Sequence, residues 1–134
     1  MEEMRRFDAG LLKFTFCDAE GEVIASFRVN PTDPGLLARA GEVAEFFRSR
    51  TSGGDLTGLA EQNEKIEEQI AYLLGYDAKD ELFGRIPATT VSPEGEIFAA
   101  AIMDAVAEAI APEIRRREEK MKARTAKYTA RYES

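Results

Sequence analysis

Between Ser92 and about Ala111 the chain carries an apolar run at helical spacing, and no other stretch offers so long an apolar surface. Phe98, Ile102, Ala105, Val106 and Ala109 recur at steps of three and four, with Ile97, Ile110 and Ile114 beside them. Ser92-Pro93 reads as a helix N-cap with proline at the first helical position. A helix of this length spans roughly 30 Å and must cover its wide apolar face, so the other elements are expected to pack on it. Pro112 then removes a backbone donor inside the helical pattern, which predicts a kink or a stop there.

Behind Pro112 the character of the chain reverses. This segment holds eight Lys or Arg against four Glu, a net of +4, which leaves −11 on the rest of a chain whose total is −7. Ile114, Met121 and Tyr128 repeat every seven residues, with Tyr132 close by, so a helix from Arg115 onward would carry a thin apolar stripe on a basic surface. That area is too small to offset the ordering entropy of an isolated segment. Two readings follow: a frayed charged end, or a segment that docks on a partner. The division is therefore a single compact domain over 1–112 and a basic helical extension over 113–134.

Upstream, Leu12, Phe14 and Phe16 alternate with polar residues, as do Val23, Ala25, Phe27 and Val29, and Asp18–Glu22 between them is turn chemistry. This predicts a β-hairpin, too small to stand alone in water. Asp33-Pro34 starts a helix with the stripe Leu36, Ala40, Val43 and Phe47, and with Arg48 and Arg50 in its last turn. Thr51–Gly54 is a loop. Asp55 caps a further helix running to about Leu74, on which Leu59, Asn63, Ile66, Ile70 and Leu73 fall at heptad spacing. An Asn at such a seam can set the register of a coiled coil, but two heptads are few, and a bundle helix with Asn63 at its wetter end is the preferred reading. Glu61, Glu64, Glu67 and Glu68 would make its outer face acidic. Gly75 ends this helix, Asp77–Asp80 fits a cap for a short one, and Leu82-Phe83-Gly84 forms a tight corner. The expected fold is mostly α (α+β): an N-terminal hairpin, a small helical bundle and a long C-terminal helix.

Chemistry is sparse. Histidine is absent, which removes the usual general base and the commonest zinc ligand. Cys17 is the single cysteine, so no internal disulfide forms. The acidic turn Asp18/Glu20/Glu22 lacks ion-binding spacing, and Asp77, Asp80 and Glu81 are explained by capping. Tyr72, Tyr76, Tyr128 and Tyr132 have no base beside them in the sequence pattern and suit core or interface positions. No catalytic residue, cofactor or metal ligand is expected. The charged start, Met1 to Arg6, is unlike a signal peptide, and no apolar stretch reaches membrane-spanning length, which together suggest a soluble protein of a reducing compartment. Net acidity disfavours nucleic-acid binding.

Several stretches in order carry a resemblance. Phe27-Arg28-Val29-Asn30-Pro31-Thr32-Asp33-Pro34 follows the hairpin, then come a helix, an acidic helix, Asp80-Glu81-Leu82-Phe83-Gly84, and a long helix ending Lys127-Tyr128-Thr129-Ala130-Arg131-Tyr132. This layout resembles the tail assembly chaperones of long-tailed bacteriophages and prophages, from about Phe14 onward. The resemblance implies a non-enzymatic protein of the bacterial host cytoplasm, in its short, non-frameshifted form. It would bind the tape measure protein and help to recruit tail tube subunits. The residues expected to meet a partner are Ile114, Arg115, Arg116, Arg117, Met121, Arg124, Tyr128, Arg131 and Tyr132, with self-association into a homo-oligomer as a further possibility. The competing classes are a structural or connector component of the virion and a small oligomeric interaction module.

Overall fold

In the computed structural model, strands β1 (Leu12–Cys17) and β2 (Val23–Val29) pair antiparallel, with Phe14 opposite Phe27 and Phe16 opposite Ala25. The structure describes residues 1–48 and 55–133; Arg50 and the 51–54 loop lie outside the described residues. Alternation puts Ala25, Phe27 and Val29 in the core, and Leu12, Phe14 and Phe16 pack against it. Phe14 stacks on Phe27 at 5.2 Å between ring centroids. The turn is closed by Asp18, whose Oδ1 accepts from the Glu20 and Glu22 N–H groups, and by Gly21 at φ +84.

Five helices follow among the described residues: α1 (Leu36–Arg48), α2 (Leu56–Glu61), α3 (Asn63–Leu74), α4 (Lys79–Phe83) and α5 (Phe98–Glu133). Asp33 stands ahead of α1, its Oδ1 accepting from Gly35 N–H at 3.0 Å and its carbonyl from Leu36 N–H. Asp55 caps α2 through Gly58 N–H, 2.6 Å away. The single helix expected from Asp55 to Leu74 is instead broken at Gln62, which leaves Leu59 only partly buried while Ile66, Ile70 and Leu73 enter the core. Gly75 ends α3 in the left-handed conformation at φ +80. Arg39 of α1 reaches that end: its Nε donates to the Leu73 carbonyl at 3.2 Å and its Nη2 to Asp33 at 2.6 Å. One guanidinium thus joins the start of α1 to the end of α3. No side chain caps α4, contrary to the expectation for Asp77; Glu81 accepts from the Tyr76 hydroxyl instead. That hydroxyl also accepts the Arg28 N–H, closing the outer edge of β2.

The start of the last helix at Ser92 and the alternative of a stop at Pro112 are corrected. The helix does not begin at Ser92. Ser92–Glu96 is a tight turn: the Gly95 N–H donates to the Ser92 carbonyl, the Ser92 N–H to the Glu96 carbonyl, and Gly95 sits at φ +89. The Ser92 hydroxyl accepts the Glu96 N–H, so it closes a turn rather than capping a helix. Val91 and Ile97 form a β-bridge across this turn, and α5 starts at Phe98. Nor does α5 stop at Pro112. It runs through for 36 residues, about 54 Å. Proline removes one internal hydrogen bond, and the apolar contacts before it and ion pairs after it carry the helix across.

The hub of the core is α3, which packs against α1, α2, α4 and α5, rather than α5, on which the other elements were expected to pack. Phe98, Ala99, Ile102, Val106 and Ile110 are buried against α3, α4 and the hairpin, with Leu82 fully enclosed. Phe98 meets Phe16 and Phe83 edge to face.

Candidate interaction surface

Asn63 and Glu67 decide how α3 meets the segment before α5. Glu67 does not lie on the acidic outer face, as its place among the glutamates predicts, but is 8% exposed. Its Oε2 accepts from Asn63 Nδ2 at 2.9 Å and from Ala88 N–H at 3.2 Å. Asn63 Oδ1 in turn accepts from the Thr89 N–H and hydroxyl, at 3.1 and 2.8 Å. The carbonyls of Ala88 and Thr90 then accept from Ala99 and Phe98, the first amides of α5. Asn63 is therefore engaged within its own chain, as the bundle reading requires, and its amide is not left for a coiled-coil seam. The acidic face of the α2–α3 pair reduces to Glu61, Glu64 and Glu68, all exposed.

The apolar face of α5 is likewise committed to the core from Phe98 to Ile110, so it offers no groove to a partner. What remains open is the distal half of the helix, and the nine residues named from the sequence separate into two groups. Ile114 is half-buried against the core, and Arg115 is exposed. Arg116 and Arg117 both pair with Glu113, and Arg117 also donates to the Ala9 and Gly10 carbonyls. Arg117 thus fastens the helix base to the N-terminal segment. Arg116, and after it Arg117, hold the Glu113 carboxyl at about 2, against an ordinary 4.5.

From Glu118 to Tyr132 every residue is exposed, a stalk of about 22 Å. Met121, Tyr128 and Tyr132 are 60%, 56% and 75% exposed and lie along one line of it. Tyr128 stacks on Tyr132 at 6.0 Å. Arg124, Lys127 and Arg131 form the next row, and with Tyr128 they line a shallow groove of about 190 Å³. Cation and aromatic face thus alternate along a surface that none of the described residues covers.

Elsewhere the described residues hold no cluster of three or more His, Cys, Asp or Glu with metal-ligand geometry. Cys17 is exposed and free. Tyr72 donates to Glu42, which raises the phenol above its ordinary range, and burial does the same to Tyr76. Among the described residues no helix is long and apolar enough to cross a membrane. Sequence reasoning misses the N-terminal segment, where Met1, Met4 and Phe7 are exposed on irregular backbone. Their spacing of three, in so short and charged a segment, gives no strand or helix signal that would single them out. The chain matches no protein-family model, no curated protein and no solved structure.

Proposed function

We propose that this chain is a tail assembly chaperone of a long-tailed phage or prophage, acting without catalysis in the host cytoplasm. It would hold the tape measure protein while tail tube subunits are recruited to it. The observation that supports this reading is the exposed stalk on α5. Its Met121–Tyr128–Tyr132 line offers apolar and aromatic contact to a long helical partner, and the adjacent cations keep the surface soluble. The order of sequence stretches resembling that family supplies the partner's identity.

The test is co-expression with a phage tape measure protein, followed by pull-down. A truncation after Glu118 removes the stalk and leaves Ile114 and the Glu113–Arg117 contacts in place. It is expected to keep the fold by circular dichroism and to lose the tape measure protein. Equal capture by the truncated chain refutes the reading. Recovery of the protein from purified particles would favour a structural or connector role instead.

A further inference from the structure

Beyond Arg117 the charges of α5 sort themselves around the helix axis. At about 100° per residue, Lys120, Arg124, Lys127 and Arg131 fall within about 60° of arc. They step by four, three and four residues, along about 17 Å of helix. Glu118 and Glu119 lie about 110–150° away from the middle of that stripe, on the other side of the stalk. Lys120, Arg124 and Lys127 are exposed, and none of them enters an ion pair among the described residues. The Met121–Tyr128–Tyr132 line runs about a quarter turn from the stripe, and the shallow groove lies where the two meet, at Arg124, Lys127, Tyr128 and Arg131. One face of the stalk thus carries a basic row and an apolar-aromatic row with the same period.

We infer that this face selects an acidic amphipathic helix of another protein, with Asp or Glu at i, i+4, i+7 and i+11 beside an apolar row. The occupant follows from charge and period together. A row of cations beside an apolar line is complemented by carboxylates beside an apolar line, and a second helix repeats at the same interval. Steps of four, three and four read the same in both directions, so the partner can lie parallel or antiparallel. No stretch of this chain has acidic residues at that spacing, so the occupant is not a second copy. Nucleic acid fits less well. Tyr128 and Tyr132 stack on each other at 6.0 Å rather than standing apart to admit a base, and the −11 body repels a polyanion. The inference rests on the reading of the stalk as the partner surface and adds what that surface selects: the cations choose the partner's charge as well as keeping the stalk soluble.

The experiment is fluorescence anisotropy with the purified full chain and three labelled probes. The first is a synthetic Ala-based helical peptide with Glu at i, i+4, i+7 and i+11 and Leu in the adjacent row. The second is its twin with Gln in place of each Glu, and the third is oligothymidylate. At about 50 mM salt the Glu peptide is expected to bind at least about tenfold tighter than the Gln twin, the effect of several exposed ion pairs together. At about 0.5 M salt, where screening shortens the reach of charges to a few ångströms, the ratio is expected to fall to about twofold. Neutralising the stripe (Lys120→Gln, Arg124→Gln, Lys127→Gln) removes the preference, and reversing it (Lys120→Glu, Arg124→Glu, Lys127→Glu) makes the Gln twin the better ligand. Circular dichroism checks that both variants keep their helix. Equal binding of the two peptides overturns the inference. So does a preference that survives neutralisation, or oligothymidylate binding tighter than the Glu peptide. The assay contains no tape measure protein, so its failure leaves the pull-down to decide the assembly reading, and failure of the pull-down leaves the peptide preference standing.

Discussion

Replacing Asn63 with Leu separates two accounts of α3 by sign. On a coiled-coil seam, a polar residue costs stability and an apolar replacement raises it. Here Asn63 accepts two hydrogen bonds from Thr89 and donates one to Glu67. Each neutral bond contributes about 1 kcal/mol net, and the bond to a carboxylate about 1.5–3 kcal/mol. The leucine recovers part of this through apolar contact, because the site is only part-buried. The balance is a loss of about 2–4 kcal/mol. With a urea m-value of about 1.5–2 kcal/mol/M, the unfolding midpoint falls by about 1–2 M. Loosening of the Ala88–Thr90 segment also removes the carbonyls that satisfy the first amides of α5, so amide exchange at Phe98 and Ala99 is expected to accelerate more than at Ile110. A control, Thr89→Val, keeps the backbone bond to Asn63 and loses only the hydroxyl, and is expected to cost about 1 kcal/mol. An Asn63→Leu chain as stable as wild type, or more so, would refute the role given to this network.

Three further outcomes follow from local geometry. Pro112→Ala restores a donor for the Glu108 carbonyl inside a helix that is already continuous, so thermal unfolding is expected to show a gain of about 1–2 kcal/mol; a loss would mean that the proline's shape is needed. Glu113 titrates at about 2 in the folded chain, below its ordinary 4.5, so its contribution to stability is complete above pH 4.5 and disappears as pH falls toward 2. A carboxyl NMR titration of Glu113 should show that low midpoint, and Arg116→Met should move it upward. Gly75→Ala places a Cβ at φ +80 and 2.7 Å from the Arg39 guanidinium, and is expected to cost about 1–2 kcal/mol in urea unfolding; an unchanged midpoint would contradict the left-handed cap.

The elements legible in the sequence are those whose periodicity and punctuation agree. The hairpin register follows from Leu12, Phe14 and Phe16 alternating against Val23 to Val29, and the end of α3 follows from Gly75. Sequence and structure part where one local signal serves two purposes. Asp18-Ala19-Glu20-Gly21-Glu22 and Ser92-Pro93-Glu94-Gly95-Glu96 form the same turn, with the leading side chain accepting the fifth N–H and the glycine left-handed. Flanking strands mark the Asp18 segment as a turn, whereas the proline and helical pattern after Ser92 imitate a helix cap. Glu-Gly-Glu is the mark the two share. Pro112 signals a stop because a local rule cannot count the contacts on either side that hold α5 together. Glu67 stands in a row of glutamates, and only the approach of Ala88, 21 residues away, draws it inward. At the candidate surface the heptad line of Met121 and Tyr128 is visible in the sequence, but not the place of Arg116 and Arg117 at the helix base.

A rod anchored at one end and bare at the other has uneven resistance to opening along its length. Ile102 and Val106 can lose their helical hydrogen bonds only when the whole core opens, whereas the turns beyond Arg117 rest on backbone bonds and a few side-chain contacts. The distal turns therefore melt and reform on their own, one after another from the tip inward. Anything that grips Tyr128 would lengthen the ordered rod without disturbing its root, and the protection of successive amides would record how far that grip extends.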